Sequence, residues 1–187
     1  MNLPNTLSLI RILLVPVFIA LFFITPIAPL NYLLACIVFC LAAITDFLDG
    51  YIARKYNLVT TLGKFLDPIA DKILVSSALI VLVSVMPEGY VKTSFTIAVC
   101  VIMARELMVS AFRQIAATKN FVMAADMAGK IKTVFQDFAI IILLLWQFTA
   151  SEVVFYVGFA LTGIATVLTI ISAVNYLIKN KAVLKND

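Results

Sequence analysis

Four aspartates stand in two closely spaced pairs in the first half of the chain. Asp46 and Asp49 are three residues apart, and Asp67 and Asp71 are four residues apart. On an α-helix these spacings put both members of a pair on one face, so each pair presents two carboxylates side by side. Adjacent carboxylates repel one another, and a divalent cation relieves that repulsion. The pattern therefore predicts a site for a hard cation such as Mg²⁺, Mn²⁺ or Ca²⁺, because these ions prefer oxygen ligands.

The residues around the aspartates suit an anion bound close to such a cation. Gly50, Ala53 and Gly63 have little or no side chain, so a ligand can approach the backbone there. Arg54 lies four residues after Gly50 and can reach an anionic group from the same helix face. The chain has no histidine, and its three cysteines lie in apolar runs, so nothing indicates a zinc site.

Each aspartate pair also has an ordinary structural explanation. Asp67 is followed by Pro68, which fits a helix N-cap with a proline in the first turn. The first pair could instead form salt bridges with Arg54 and Lys55 in an interfacial loop. Neither explanation accounts for four acids together with three small residues, so we favour the metal site.

The elements that must position these residues are membrane helices. Of the 187 residues, 64% are hydrophobic and 13% are charged, and the mean hydropathy of +1.12 is far too high for a soluble domain of this size. The apolar runs show no strand-like alternation, and lipid requires each backbone polar group to be paired within a helix or a closed barrel. We therefore expect an all-α integral membrane protein, with membrane lipid and no nucleic acid as a partner. The predicted bundle forms a single domain over residues 1–187 and has six transmembrane helices, at 8–25, 31–55, 62–86, 92–117, 124–148 and 152–178.

The lysines and arginines predict the orientation of this bundle. Six spans put both termini on one side, together with the second-to-third and fourth-to-fifth connections. All fourteen basic residues except Lys92 fall on or toward that side, which is therefore predicted to be cytoplasmic. The result is a multi-pass protein of the cell membrane with its acidic site facing the cytoplasm. We expect the opening residues MNLPNTLSLIR to form a short interfacial segment before the first span.

The aspartates and small residues also carry a resemblance to a known family. Their order and spacing over 26 residues match the signature of the CDP-alcohol phosphatidyltransferase family without departure. The eight matching positions are Asp46, Asp49, Gly50, Ala53, Arg54, Gly63, Asp67 and Asp71. Members of that family transfer a phosphatidyl group from a CDP-linked lipid to an alcohol and release CMP, so the resemblance implies this activity here.

The resemblance also implies roles for the signature residues. Four of them would frame a two-metal site for Mg²⁺ or Mn²⁺, namely Asp46, Asp49, Asp67 and Asp71. Asp71 would in addition act as the general base. The other four would line the pocket for the cytidine diphosphate, namely Gly50, Ala53, Arg54 and Gly63. The family further implies a homodimer.

A second set of charged residues, outside the signature, bears on the identity of the acceptor alcohol. The set is Arg105, Arg113, Lys130 and Lys132, and two of its members, Arg105 and Lys130, lie within the predicted fourth and fifth helices, where an unpaired cation is costly. Glu106 could neutralise one of these two, and Asp126 could pair with Lys130 across one helical turn. The four basic residues could be ordinary cytoplasmic anchors with snorkelling side chains, or they could bind the phosphate of a phosphorylated acceptor.

Looser similarities favour one acceptor. The stretch NLPNTLSLIRILLVP, the region around Arg105 and the region around Lys130 resemble those of the bacterial phosphatidylglycerophosphate synthases, a branch of the family. The resemblance implies that CDP-diacylglycerol and glycerol 3-phosphate give phosphatidylglycerol phosphate and CMP. Inositol phosphate or phosphatidylglycerol as acceptor remains the alternative within the family. Outside the family, four carboxylates in a membrane protein would also fit a divalent-cation transporter.

Overall fold

The structure, a computed structural model, describes part of the chain. It covers the backbone of residues 3–55, 61–118 and 127–179, and the side chains at 5–24, 26–45, 55, 63, 69–114, 127 and 129–178. Within these ranges the regular structure is entirely helical, which confirms the all-α part of the predicted fold class. A single 3₁₀ turn lies at Thr25–Ile27. The α-helices are α1 (Leu3–Phe23), α2 (Leu30–Lys55), α3 (Thr61–Val85), α4 (Tyr90–Thr118), α5 (Met127–Thr149) and α6 (Glu152–Lys179).

Four of the described helices are long and apolar enough to cross a membrane, as expected of a multi-pass membrane protein. These segments are Asn5–Phe23, Tyr90–Gln114, Gly129–Thr149 and Glu152–Ile178. The part of α2 whose side chains are described, Leu30–Thr45, is also apolar. Large apolar side chains such as Leu107 and Val153 are 66% and 72% exposed, which suits contact with lipid. Six crossings and the side of the termini stay predictions.

The first of two compact units combines Met1–Val85 with Ile140–Phe155. In it α1 packs against both α2 and α3. Phe18 and Phe39 are fully buried between α1 and α2, with ring centroids 6.2 Å apart. Two hydrogen bonds also join these two helices: Arg11 Nε donates to the Ala42 carbonyl at 3.2 Å, and Asn31 Nδ2 donates to the Phe22 carbonyl at 2.7 Å. Because the earlier residue of α1 meets the later residue of α2, the two helices run antiparallel.

The N-terminal segment differs from its prediction. Leu3–Phe23 is one continuous helix, so the structure does not separate an interfacial segment from the first span. Arg11 is fully buried in the protein, because it lies on the face of α1 that packs against α2, where its guanidinium finds a backbone acceptor. Its position at the level of the headgroups stays a prediction.

The second unit combines Met86–Ala139 with Tyr156–Asp187. Phe95, Ile102 and Val109 recur every seven residues on α4 and are at most 3% exposed, so they form one buried stripe. On α6 five buried positions recur every three or four residues, and the first four are small or polar residues. Small residues at such positions let membrane helices approach closely. The five positions are Thr162, Ala165, Thr169, Ser172 and Tyr176. The hydroxyls of Thr162 and Thr169 are satisfied by carbonyls of their own helix, at 3.0 and 2.6 Å.

Candidate functional site

The two aspartate pairs lie on two consecutive helices of the first unit. Helix α2 continues past Asp46 and Asp49 to Lys55, and α3 begins at Thr61, so Asp67 and Asp71 are both inside α3. Both pairs therefore have the helical backbone that places their members on one face. The N-cap explanation for Asp67 is wrong, because α3 begins six residues before it.

Two of the eight signature side chains are described. Asp71 is half-buried on α3 and takes part in a polar interaction, and Gly63 is buried. The remaining six lie outside the described side chains, so their roles stay predictions; they are Asp46, Asp49, Gly50, Ala53, Arg54 and Asp67. Among the side chains that the structure does describe, no three potential metal ligands cluster, and Asp71 is the only one of the four aspartates in that set.

The chemistry of the four candidate donors fits a hard divalent cation. All four are carboxylates, and the described cysteines are free thiols on α2 and α4. Carboxylate oxygens suit Mg²⁺ and Mn²⁺ and discriminate against softer metals. A pair of acids on each of two helices can supply several oxygen ligands at once.

In the second unit, three helices bring charged groups together inside the protein. Lys132 on α5 forms an ion pair with Glu106 on α4, and Arg105 Nη1 lies 3.5 Å from the same carboxylate oxygen. Arg105 Nη2 also donates a 2.6 Å hydrogen bond to Ser172 Oγ on α6. We call these four residues, Arg105, Glu106, Lys132 and Ser172, the basic cluster. Glu106 thus pairs with Arg105, one of the two partners predicted for it, and its ion pair with Lys132 was not predicted.

The charge of the basic cluster favours a bound anion. Arg105 is 9% exposed and Lys132 is 3% exposed, whereas the side chain of Glu106 is 21% exposed. Two cations and one carboxylate thus lie together inside this unit, and Arg105 and Lys132 take part in further interactions as well. A phosphate group, with its oxygen acceptors and negative charge, is a suitable ligand for such a set.

The four basic residues singled out in the sequence do not share one environment. Arg105 and Lys132 are buried in the basic cluster, whereas Arg113 and Lys130 are exposed. Lys130 is two residues from Lys132, and an α-helix turns by about 200° over two residues, so the two side chains leave α5 on different sides. Contact of Arg113 and Lys130 with an acceptor phosphate stays a prediction.

Three further polar residues have an environment that the sequence did not reveal. Ser172 is fully buried against Arg105, although no sequence signal links positions so far apart. Gln136 is 4% exposed, and its Oε1 has no hydrogen-bond partner among the described residues. Its position four residues after Lys132, on the same face of α5, was a usable signal. Arg11 is fully buried on α1.

Known proteins resemble the chain over nearly its whole length. The model of the CDP-alcohol phosphatidyltransferase family matches residues 1–174. A Rickettsia bellii (strain RML369-C) protein named CDP-diacylglycerol–glycerol-3-phosphate 3-phosphatidyltransferase is 43% identical over 178 residues, 94% of this chain and 93% of the relative. A Bacillus subtilis (strain 168) protein of that name is 40% identical over 100% of this chain and 98% of the relative. A third protein of that name, from Shigella flexneri serotype 5b (strain 8401), is 38% identical over 94% of this chain and 93% of the relative.

Proposed function

The chain belongs to the CDP-alcohol phosphatidyltransferase family, and from that premise we propose that it transfers the phosphatidyl group of CDP-diacylglycerol to glycerol 3-phosphate. The products are phosphatidylglycerol phosphate and CMP. The observation that supports the choice of acceptor is the buried basic cluster, because two cations held close together are suitable ligands for a phosphate group. A divalent-cation transporter loses its support, since membership of this family indicates an enzyme.

We assign the binding of the diphosphate to the acidic residues of α2 and α3. Asp46, Asp49, Asp67 and Asp71 would hold two divalent cations, Mg²⁺ or Mn²⁺. When bound, such cations neutralise the diphosphate and stabilise the leaving CMP. The small residues and Arg54 of the signature would line the pocket for the cytidine diphosphate, as the family resemblance implies.

Asp71 is assigned the proton transfer. The hydroxyl oxygen of the acceptor forms a new bond to the phosphatidyl phosphorus, and the bond from that phosphorus to the oxygen of CMP breaks. CMP leaves with the electron pair of the broken bond. Asp71 accepts the hydroxyl proton, which keeps the attacking oxygen nucleophilic as the new bond forms. The half-buried position of Asp71 on α3 suits a carboxylate held in one orientation.

We assign the binding of the acceptor to the basic cluster. Lys132 and Arg105 bind the phosphate of glycerol 3-phosphate, which carries about two negative charges near neutral pH. Glu106 holds the two cations in place when the phosphate is absent, and Ser172 fixes the guanidinium of Arg105. We further propose that the active site faces the cytoplasm of the cell membrane and that the chain acts as one domain in a homodimer.

An acceptor panel tests this function. Purified protein in detergent should release CMP from CDP-diacylglycerol and Mg²⁺ at least about tenfold faster with glycerol 3-phosphate than with inositol phosphate, serine or phosphatidylglycerol. Addition of EDTA should stop the reaction, and excess Mg²⁺ or Mn²⁺ should restore it. Use of a non-phosphorylated alcohol alone would contradict the assignment of the basic cluster.

We assign Gln136 to the recognition of the glycerol moiety. A buried acceptor atom without a partner costs about 1–3 kcal/mol, and a hydroxyl of the bound acceptor can satisfy it. Lys132, one turn away on α5, binds the phosphate of the same molecule. Gln136→Leu should therefore abolish the preference for glycerol 3-phosphate over 3-hydroxypropyl phosphate, which lacks the middle hydroxyl. In the unaltered protein we expect that preference, measured as a ratio of kcat/KM values, to be about tenfold or more.

Gln147→Leu is the matched control for this substitution. It makes the same change on the same helix, eleven residues further on. The control should keep the full preference for glycerol 3-phosphate. Equal losses of kcat/KM with both acceptors in Gln136→Leu would mean that Gln136 supports the fold and does not contact the hydroxyl.

A further inference from the structure

Helix α1 carries a row of polar side chains inside the first unit. Asn5, Ser8 and Arg11 follow one another at intervals of three residues, and their exposures are 5%, 0% and 0%. This spacing places them along one side of the helix. We call these three residues the polar stripe of α1. Polar groups of this size are rarely buried in an apolar helix without a specific reason.

The antiparallel packing of α1 and α2 shows what the polar stripe lies against. Arg11 meets Ala42, and further along the same pair of helices Phe22 meets Asn31. Both helices rise by about 1.5 Å per residue, so each step back along α1 matches one step forward along α2. The beginning of the polar stripe therefore runs beside the backbone turn of α2 that carries Asp46.

The Ala42 carbonyl is where Arg11 acts on that turn. It accepts one hydrogen bond from Arg11 Nε at 3.2 Å and another from Thr45 Oγ1 at 2.7 Å. In an α-helix this carbonyl is also the acceptor for the amide of the residue four positions later, which is Asp46. Arg11 therefore hydrogen-bonds to the same carbonyl that accepts the backbone amide of Asp46. Because several donors fix this carbonyl, the orientation of the helical turn at Asp46 is restricted.

A second described bond between the two helices involves no charge. Asn31 is 1% exposed and ties α2 to the Phe22 carbonyl of α1 with a neutral amide. A buried arginine is a far more expensive way to make the same kind of bond. We therefore infer that the charge of Arg11 serves the end of the helix pair where the signature begins. The packing of α1 on α2 does not by itself require a charge.

We propose that Arg11 is a positioning residue for phosphatidyl transfer, which fixes the turn of α2 carrying Asp46 so that the carboxylates there can hold their divalent cations. This inference rests on the metal site of the proposed function. Arg11 acts through the Ala42 carbonyl and through the helix it restrains. Groups hydrogen-bonded directly to the ligands of a metal commonly change metal affinity 10- to 100-fold when they are replaced, and Arg11, which acts through the backbone, should have an effect at the lower end of this range.

Direct metal binding to the whole protein in detergent tests the proposal. Mn²⁺ binding is followed by electron paramagnetic resonance without CDP-lipid, and thermal unfolding is measured without metal. Arg11→Met should weaken Mn²⁺ binding about tenfold and raise the Mn²⁺ concentration for half-maximal CMP release by a similar factor. Arg11→Lys should recover part of the loss. Thr45→Val, which removes the second side-chain donor to the same carbonyl, should produce a smaller loss in the same direction.

Asn31→Leu is the matched control, because it removes the other side chain–carbonyl bond between α1 and α2. It should lower the unfolding temperature and leave Mn²⁺ binding unchanged. The proposal is overturned if Arg11→Met behaves like this control, if it tightens Mn²⁺ binding, or if only the KM for CDP-diacylglycerol rises. Should Arg11→Met fail to fold, unchanged Mn²⁺ affinity in Thr45→Val and Arg11→Lys overturns it instead. An unaltered protein without metal-dependent CMP release would defeat the proposed function itself.

Discussion

Replacement of Asp71 by asparagine is expected to lower the rate of CMP release by at least about 10³-fold. Asparagine has nearly the shape of aspartate, so the packing of α3 should survive. The amide cannot accept the proton of the acceptor hydroxyl, and it is a poorer ligand for a hard cation. Both proposed roles of Asp71 are lost in one change. The measurement is CMP released from CDP-diacylglycerol with glycerol 3-phosphate and Mg²⁺ in detergent.

A metal titration separates the two roles of Asp71. If Asp71 served only as a ligand, high Mg²⁺ should restore much of the activity of Asp71→Asn, and the assignment as general base would then be wrong. If it is the base, the rate at saturating Mg²⁺ should remain low. Glu152→Gln, at the exposed start of α6, is a control for the removal of one acid and should keep full activity. Unfolding temperatures of both variants show whether the fold is intact.

Lys132→Met is expected to reduce kcat/KM for glycerol 3-phosphate about 100-fold. A charge-assisted hydrogen bond to phosphate contributes about 1.5–3 kcal/mol, and its loss corresponds to roughly 10- to 150-fold in binding. Methionine fills a similar volume, so the buried position on α5 stays packed. The effect should fall on the acceptor, because the acidic residues of the signature are untouched. The Mg²⁺ dependence should therefore remain that of the unaltered protein.

Lys130→Met is the matched control for this prediction. Lys130 is exposed on the same helix, two residues before Lys132, and is absent from the basic cluster as described. If burial in the basic cluster selects the ligands of the phosphate, this replacement should change kcat/KM for glycerol 3-phosphate by less than about threefold, as is usual for an exposed charge. A larger loss would instead support the prediction from the sequence that Lys130 contacts the acceptor phosphate. Equal losses in the two variants would show that burial does not separate phosphate ligands from surface anchors here.

Most of the helices follow from the apolar runs alone. Lipid leaves a chain few ways to satisfy its backbone, so a long apolar run between polar interruptions almost dictates a helix. The predicted 31–55 and 152–178 correspond to Leu30–Lys55 and Glu152–Lys179. The first span is predicted to begin at residue 8, whereas α1 begins at Leu3. The prediction begins too late because Asn5 and Arg11 suit a headgroup region better than the apolar core of a membrane.

The candidate site was predictable to the extent that its residues are close in sequence. Spacings of three and four residues place Asp46 with Asp49, and Asp67 with Asp71, on common faces as soon as both segments are helical. The basic residues were a harder case, since a cation in a cytoplasmic helix can snorkel or be buried with similar sequence patterns. Lys132 is buried against Glu106 of another helix, and Lys130 is exposed. No spacing along α5 indicates which of the two lysines meets Glu106.

The sequence by itself determined that this protein is helical and apolar, and which of its residues share a helix face. Local geometry is enough for that, because helical periodicity depends only on distance along the chain. Only the tertiary structure decided which faces meet. Arg105 finds Ser172 across 67 residues, and Arg11 finds Ala42 across 31. Such partners depend on how helices pack, and a buried cation can be understood only once the groups packed around it are known.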